Sequence, residues 1–183
     1  MEYSDVSIRK ERRFLMQLHE MIDRVTWKMV EHDGGSPKRI QHFLKVHRFA
    51  QLIGREEQLD AHTQLVLECA ALVHDIGIGP CKAKYGRCTG TLQEQEGPMY
   101  ARALLEEFHL PEADVERICY LVAHHHSYDN IQGMDYQILV EADFLVNFHE
   151  DKMEKDTVRE TMNRIFRTQT GKRLCQTMFD LDQ

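Results

Sequence analysis

Apolar residues recur along this chain at three- and four-residue spacing and prolines are few, a pattern that predicts helices throughout. A first helix is expected from about Ser7 to Glu31, with Phe14, Leu18, Met21, Ile22 and Val25 on one face. His32-Asp33-Gly34-Gly35 ends it, and Ser36 followed by Pro37 offers an N-cap and a first-turn proline to the next helix. Gly54 and the polar stretch from Arg55 to Asp60 then lead into a nearly unbroken apolar run, Leu65 to Val73. The segment from Gly77 to Gly90, with four glycines, Pro80 and several cations, reads as a loop. Further helices are expected from about Leu92 to Phe108, from Leu110-Pro111-Glu112 to Ala123, and after Gly133 across Ile138 to Val146. Beyond Asp151, a stripe of Val158, Met162, Ile165 and Phe166 suits either core or interface; a break falls at Gly171, and Leu174, Met178 and Phe179 form a short apolar end. The pattern is all-α, without repeat, linker or low-complexity tract.

Polar residues placed inside this apolar pattern carry the chemistry. His74-Asp75 closes the Leu65–Val73 run, where an imidazole and a carboxylate are costly to bury unless a cation satisfies them. His42 shares a helix face with Val46, Phe49 and Ile53, and Asp143 lies among Leu139 and Val146. His124-His125-His126 end another apolar run. Successive helical residues point about 100° apart, so one or two of these three can face a single site. One divalent metal would satisfy His42, His74, Asp75 and Asp143 together. His19, His32, His47, His62, His109 and His149 have no such setting and read as structural.

The order His, His-Asp, His cluster, Asp resembles the HD-domain superfamily of metal-dependent phosphohydrolases. The matching segments are His42-x3-Val46-x3-Ala50, Ala70-Ala71-Leu72-Val73-His74-Asp75-Ile76-Gly77, Val122-Ala123-His124-His125 and Glu141-Ala142-Asp143. The resemblance implies a single HD-type helical bundle over residues 1–183, with its core at 37–148, an N-terminal helix within 1–35 and C-terminal helices within 151–183. It implies His42, His74, Asp75 and Asp143 as metal ligands, with His74 and Asp75 catalytic, and His124 and His125 as contacts to a second metal or to substrate. Gly97-Pro98-Met99-Tyr100-Ala101 matches a helix that dinuclear members precede with a histidine, but Gln93 stands at that position. A second ion is therefore left open, with Glu94 or Glu96 as substitute oxygen ligands. The Gly-Tyr-Pro of the cyclic-dinucleotide phosphodiesterase branch is missing, since His126-Ser127-Tyr128 follows the paired histidines.

Composition narrows the substrate. A length of 183 residues suggests one domain, and 42% hydrophobic with 29% charged residues is ordinary for a globular protein. No apolar stretch approaches the ~20 residues of a membrane helix. Met1-Glu2-Tyr3-Ser4-Asp5 has neither the basic nor the apolar part of a secretory signal, so a cytoplasmic protein is expected. Five cysteines without paired short spacing argue against a disulfide framework or zinc ribbon. A net charge of -7 opposes binding to a nucleic-acid polymer. A small anionic substrate remains compatible, because Lys82, Lys84 and Arg87 directly follow His-Asp and suit phosphate oxygens. His126 and Tyr128 are further candidates for substrate contact.

The His and carboxylate set suits manganese, iron, cobalt, nickel or zinc more than magnesium. The expected function is hydrolysis of a small phosphate ester, foremost a nucleotide, by a metal-activated water. Two other classes stay open: a noncatalytic metal- and nucleotide-binding module, and a di-iron HD oxygenase, which the missing histidine at position 93 weakens most. Oligomeric state is open.

Overall fold

A computed structural model describes the backbone of residues 2–181 and the side chains of residues 16–181. The elements are α1 (Glu2–His32), α2 (Pro37–Glu56), α3 (Ala61–Val73), α4 (Ile78–Tyr85), α5 (Gly90–Leu105), α6 (Glu112–His124), α7 (Met134–Glu150), α8 (Lys155–Ile165) and α9 (Gln169–Phe179). A short 3-10 turn, Glu106–Phe108, extends α5. The described residues contain helices and no strand, and none of these helices is long and apolar enough to cross a membrane.

The middle of the bundle is α3. It is apolar nearly all round, and residues from Val66 to Val73 are all buried, as expected of a helix surrounded by others. Around it pack α1, α2, α6 and α7, while α5 lies along α6. Ile22, Val25 and Met29 are the α1 residues that reach the core; Phe14 lies outside the described side chains. Glu68, the one acidic residue buried in α3, accepts hydrogen bonds from Gln51 and Gln64, both at 2.8 Å, and pairs with His47 at 3.0 Å. Burial without these partners would be costly. Asp60 starts α3 by accepting from the amides of His62 and Thr63.

Three boundaries differ from the sequence reading. Gly77–Gly90 is not a loop, because α4 occupies Ile78–Tyr85. Pro80 falls in its first turn, where no amide hydrogen is required, and Gly86 closes it in the left-handed region at φ 68°. Ser36 stands at the N-cap position of α2 without capping through its side chain. The C-terminal break is at Phe166–Thr168, with Gly171 inside α9. Val158, Met162, Ile165 and Phe166 are buried, so this stripe belongs to the core.

Glu141 explains that break. Its fully buried carboxylate accepts from Gln137 Nε2 at 2.8 Å and from the backbone amides of Arg167 at 2.6 Å and Thr168 at 3.0 Å. Thr168 Oγ1 also donates to it and accepts from the Gly171 amide at 2.9 Å. The anion thus replaces the missing partners at the start of α9 and ties that helix to α7. A Cβ at Gly171 would lie 2.7 Å from Thr168 Oγ1 and closer still to Glu141, so this position accepts only glycine. Glu141→Ala should lose on the order of 3 kcal/mol of stability in urea unfolding, because it leaves buried amides and a hydroxyl without an acceptor, at about 1–3 kcal/mol for each group left unsatisfied. Gly171→Ala should destabilise too, and much less in the Glu141→Ala background; equal effects in both backgrounds would show the two sites to be uncoupled.

Candidate metal centre

Four chain segments deliver the site. Val46 and Ala50, one and two turns beyond His42 on α2, are fully buried, so their face carries His42 inward. His74 is the C-cap of α3 and Asp75 begins the turn into α4. Asp143 comes from the buried face of α7, and His125 follows the last turn of α6. A close backbone approach fixes the turn: a Cβ on Gly77 would meet the Cα and N of Gly97 in α5 at 3.1 Å each. Gly97 in turn leaves no room for a Cβ against Val122 Cγ1, at 2.8 Å. These glycines let α4, α5 and α6 converge beside Asp75.

At the centre, His42 Nε2 lies 3.1 Å from Asp143 Oδ1, 3.3 Å from His74 Nε2 and 3.5 Å from Asp75 Oδ2. His74 Nε2 is 3.6 Å from both Asp75 Oδ2 and Asp143 Oδ1. Donors held ~2.1 Å from one ion are separated by roughly 3.0–3.5 Å, a spacing that His42, His74 and Asp75 approach as a mutually close set and that Asp143 approaches toward both histidines. The outer nitrogens of the rings are engaged elsewhere. His74 Nδ1 donates to the Ala71 carbonyl at 2.9 Å, His125 Nδ1 donates to that of Val122 at 2.8 Å, and His42 Nδ1 faces Glu150 Oε2 at 3.3 Å. Such partners turn each Nε2 inward and leave it the nitrogen without hydrogen whenever the ring is neutral. His125 Nε2 is fully buried and has no hydrogen-bond partner. Asn147 Nδ2 holds Asp143 Oδ1 at 2.9 Å, and Lys45 pairs with Glu150 at 2.5 Å.

The electrostatics are those of a cluster awaiting positive charge. Burial alone would lower His74, but Asp75 and Asp143 outweigh it and hold it up at about 9. Burial would raise Asp75, yet His74 and His125 bring it down to about 2, and His42 and His74 push Asp143 further below the carboxylate range. A metal bound there would have to displace the proton that these pairs retain on His74. His126 runs the other way: burial and the neighbouring His125 lower it to about 4.

The centre opens into a cleft of about 270 Å³ whose walls include Lys38, Arg39, Lys82, Gln93 and His126. Of the residues singled out from sequence, His42, His74, Asp75 and Asp143 meet at one point, and His125 adjoins them. Lys82 lines the cleft. His124 turns away, stacking on Tyr120 with ring centroids 4.1 Å apart. Glu94 braces the turn after α6, accepting from the His126 amide and Ser127 Oγ. Glu96 is engaged by Lys84 at 2.8 Å and by Tyr85 Oη at 2.5 Å, which takes both Glu96 and Lys84 out of the site. Arg87 is exposed and not among the cleft walls. Tyr128 packs against Phe144, and burial pushes its hydroxyl up to about 12. Sequence reasoning passed over Lys38, Arg39, Asn147 and Glu150. Helical spacing carried the signal, since Asn147 and Glu150 follow Asp143 by four and seven residues, and Lys38 and Arg39 precede His42 by four and three.

A profile of the HD domain family matches residues 39–165. A search of curated proteins gives no match. Among solved structures, the chain is similar to the crystal structure of a predicted HD superfamily hydrolase from an uncultured Thermotogales bacterium. The two share 20% identity over 87% of this chain and 86% of that one, with a TM-score of 0.63. That likeness speaks to the helical fold. With well over half of its length inside the family profile, and with the histidines and aspartates of the His-Asp pattern gathered at one buried point, the chain belongs to the HD domain family, whose members are typically metal-dependent phosphohydrolases.

Proposed function

We propose that this protein hydrolyses a small phosphate ester, foremost a nucleotide, at a single divalent transition-metal site formed by His42, His74, Asp75 and Asp143. The observation that carries the reading is that His42 Nε2 and His74 Nε2 lie 3.3 Å apart and each lies within 3.1–3.6 Å of one carboxylate oxygen of Asp75 and one of Asp143. A bound ion would supply Lewis acidity there, lowering the pKa of water and drawing charge from a phosphoryl oxygen. Asp75 offers Oδ2 to the ligand set, while Oδ1, held at 3.2 Å by Nε2 of the cleft-wall residue Gln93, is left outside that set and suits orienting a water and accepting its proton. Lys38 and Lys82 bring positive charge to the cleft wall, where phosphate charge would need neutralising, beside Arg39, whose Nε is held by Asp33 Oδ1 at 3.0 Å.

Space supports a substrate larger than phosphate. Lys38 and Glu150 also border an adjoining hollow of about 730 Å³, walled further by Gln41, Lys45, Phe148, Lys152 and Phe179. Cleft and hollow together are of the size that takes a nucleotide.

Hydrolysis of a panel of nucleoside mono-, di- and triphosphates, with manganese, iron, cobalt, nickel and zinc each supplied in turn, tests the activity. Metal uptake with no turnover on any substrate would leave a noncatalytic binding module. His74→Ala and Asp75→Ala should lose both bound metal and hydrolysis. Chelation should lower the melting temperature, since a ligand at a hundredfold excess over Kd contributes ~2.7 kcal/mol to the folded state. An unchanged melting curve would count against a tightly held ion.

The cations should separate by position. Lys82→Ala should leave metal content intact and lower kcat/KM on the order of ten- to a hundredfold, the loss of one charged hydrogen bond. Lys84→Ala and Arg87→Ala should stay near wild type. Equal losses in all three variants would place the phosphate on the exposed face of α4 instead.

A further inference from the structure

The Asp75 carboxylate has two sides with different neighbours. Oδ2 faces His42 and His74, whereas Oδ1 faces the unpartnered His125 Nε2 at 3.6 Å. Together Asp75, His125 and His126 bring ligand-type atoms close enough for a second ion. Gln93 lies across that position. Its side-chain NH₂ donates to Asp75 Oδ1 at 3.2 Å, and its Oε1 lies against His126 Nε2. The amide cannot be reversed, because that would set its oxygen against a carboxylate. An amide oxygen only accepts, so His126 Nε2 carries the hydrogen. A ring nitrogen bearing hydrogen has no lone pair to give a metal.

We propose that Gln93 restricts the centre to one ion, by occupying the space beside Asp75 and by holding His126 in the tautomer that cannot ligate. A second ion, which the family resemblance leaves open, does not fit the residues as they stand. The inference rests on the one-ion reading above and adds to it the reason for the number. It also explains why Asp75 Oδ1 stays available for proton transfer, since no second ion draws on it. The second position is latent: removing the amide frees His126 Nε2 to turn its lone pair toward Asp75 and His125.

Equilibrium dialysis against manganese, with bound metal counted per folded chain, tests this without any assay of turnover. Wild type should bind one ion. Gln93→Ala, which frees His126, and Gln93→His, which adds a nitrogen donor, should each bind two. Electron paramagnetic resonance should show manganese–manganese spin coupling in the variants and an isolated ion in wild type. Two coupled ions in wild type, or a single ion in both variants, would overturn the role of Gln93 while leaving the His42, His74, Asp75 and Asp143 site standing. No ion in wild type would overturn both. If Gln93→Ala does not fold, as judged by circular dichroism, the wild-type count and Gln93→His still decide the matter.

Discussion

The fold depends on one electrostatic constraint, the convergence of imidazole and carboxylate lone pairs in a place water barely reaches. Protonating both His42 and His74 would set two cations with their Nε2 atoms 3.3 Å apart; leaving both bare sets lone pair against lone pair. A divalent ion would resolve the conflict in one step, and the surrounding hydrogen bonds suit it. Ala71, Val122 and Glu150 hold the outer nitrogens, so the inner ones have nowhere else to point. The helical core is interrupted here as it is at Glu68 and Glu141, but those carboxylates are met by protein donors, whereas here imidazoles and carboxylates meet one another.

Helix α7 connects the constraint to the rest of the chain. Asp143, Asn147 and Glu150 run along one face of it toward the site, while Glu141, on another face, fastens the α8–α9 hairpin. Two anions two residues apart on one helix therefore do opposite jobs. Asp143 joins the imidazoles of the candidate centre, and Glu141 is fully satisfied by protein donors. The difference lies in the partners: amides and a hydroxyl around Glu141, two imidazole nitrogens and the Asn147 amide around Asp143.

The helical class and the meeting of His42, His74, Asp75 and Asp143 were legible in the sequence because both are written in local spacing. Polar groups set in apolar runs gave away His42, His74, Asp75 and Asp143, and three- to four-residue periodicity gave the helices. What failed was read from composition alone. Glycine and proline in residues 77–90 suggested a loop, yet they stand at the ends and first turn of α4, where they do no harm to a helix. The charge of Lys84 suggested phosphate, but its partner Glu96, twelve residues on, takes it. Which of three consecutive histidines turns inward depends on how α6 packs, and no spacing rule selects His125 over His124. Gly171 looked like a helix breaker because the buried Glu141 beside it is a tertiary fact.

The Gly77–Gly97 contact has a consequence for how such a site can vary. Backbone rests on backbone there, with no side chain between to yield, so the distance from Asp75 to the residues of α5 is set by the thickness of the main chain itself. Substitutions along α5 can then exchange the group that faces Asp75 without moving it nearer or farther. The scaffold is a fixed gauge, and the chemistry on its far side is interchangeable one residue at a time.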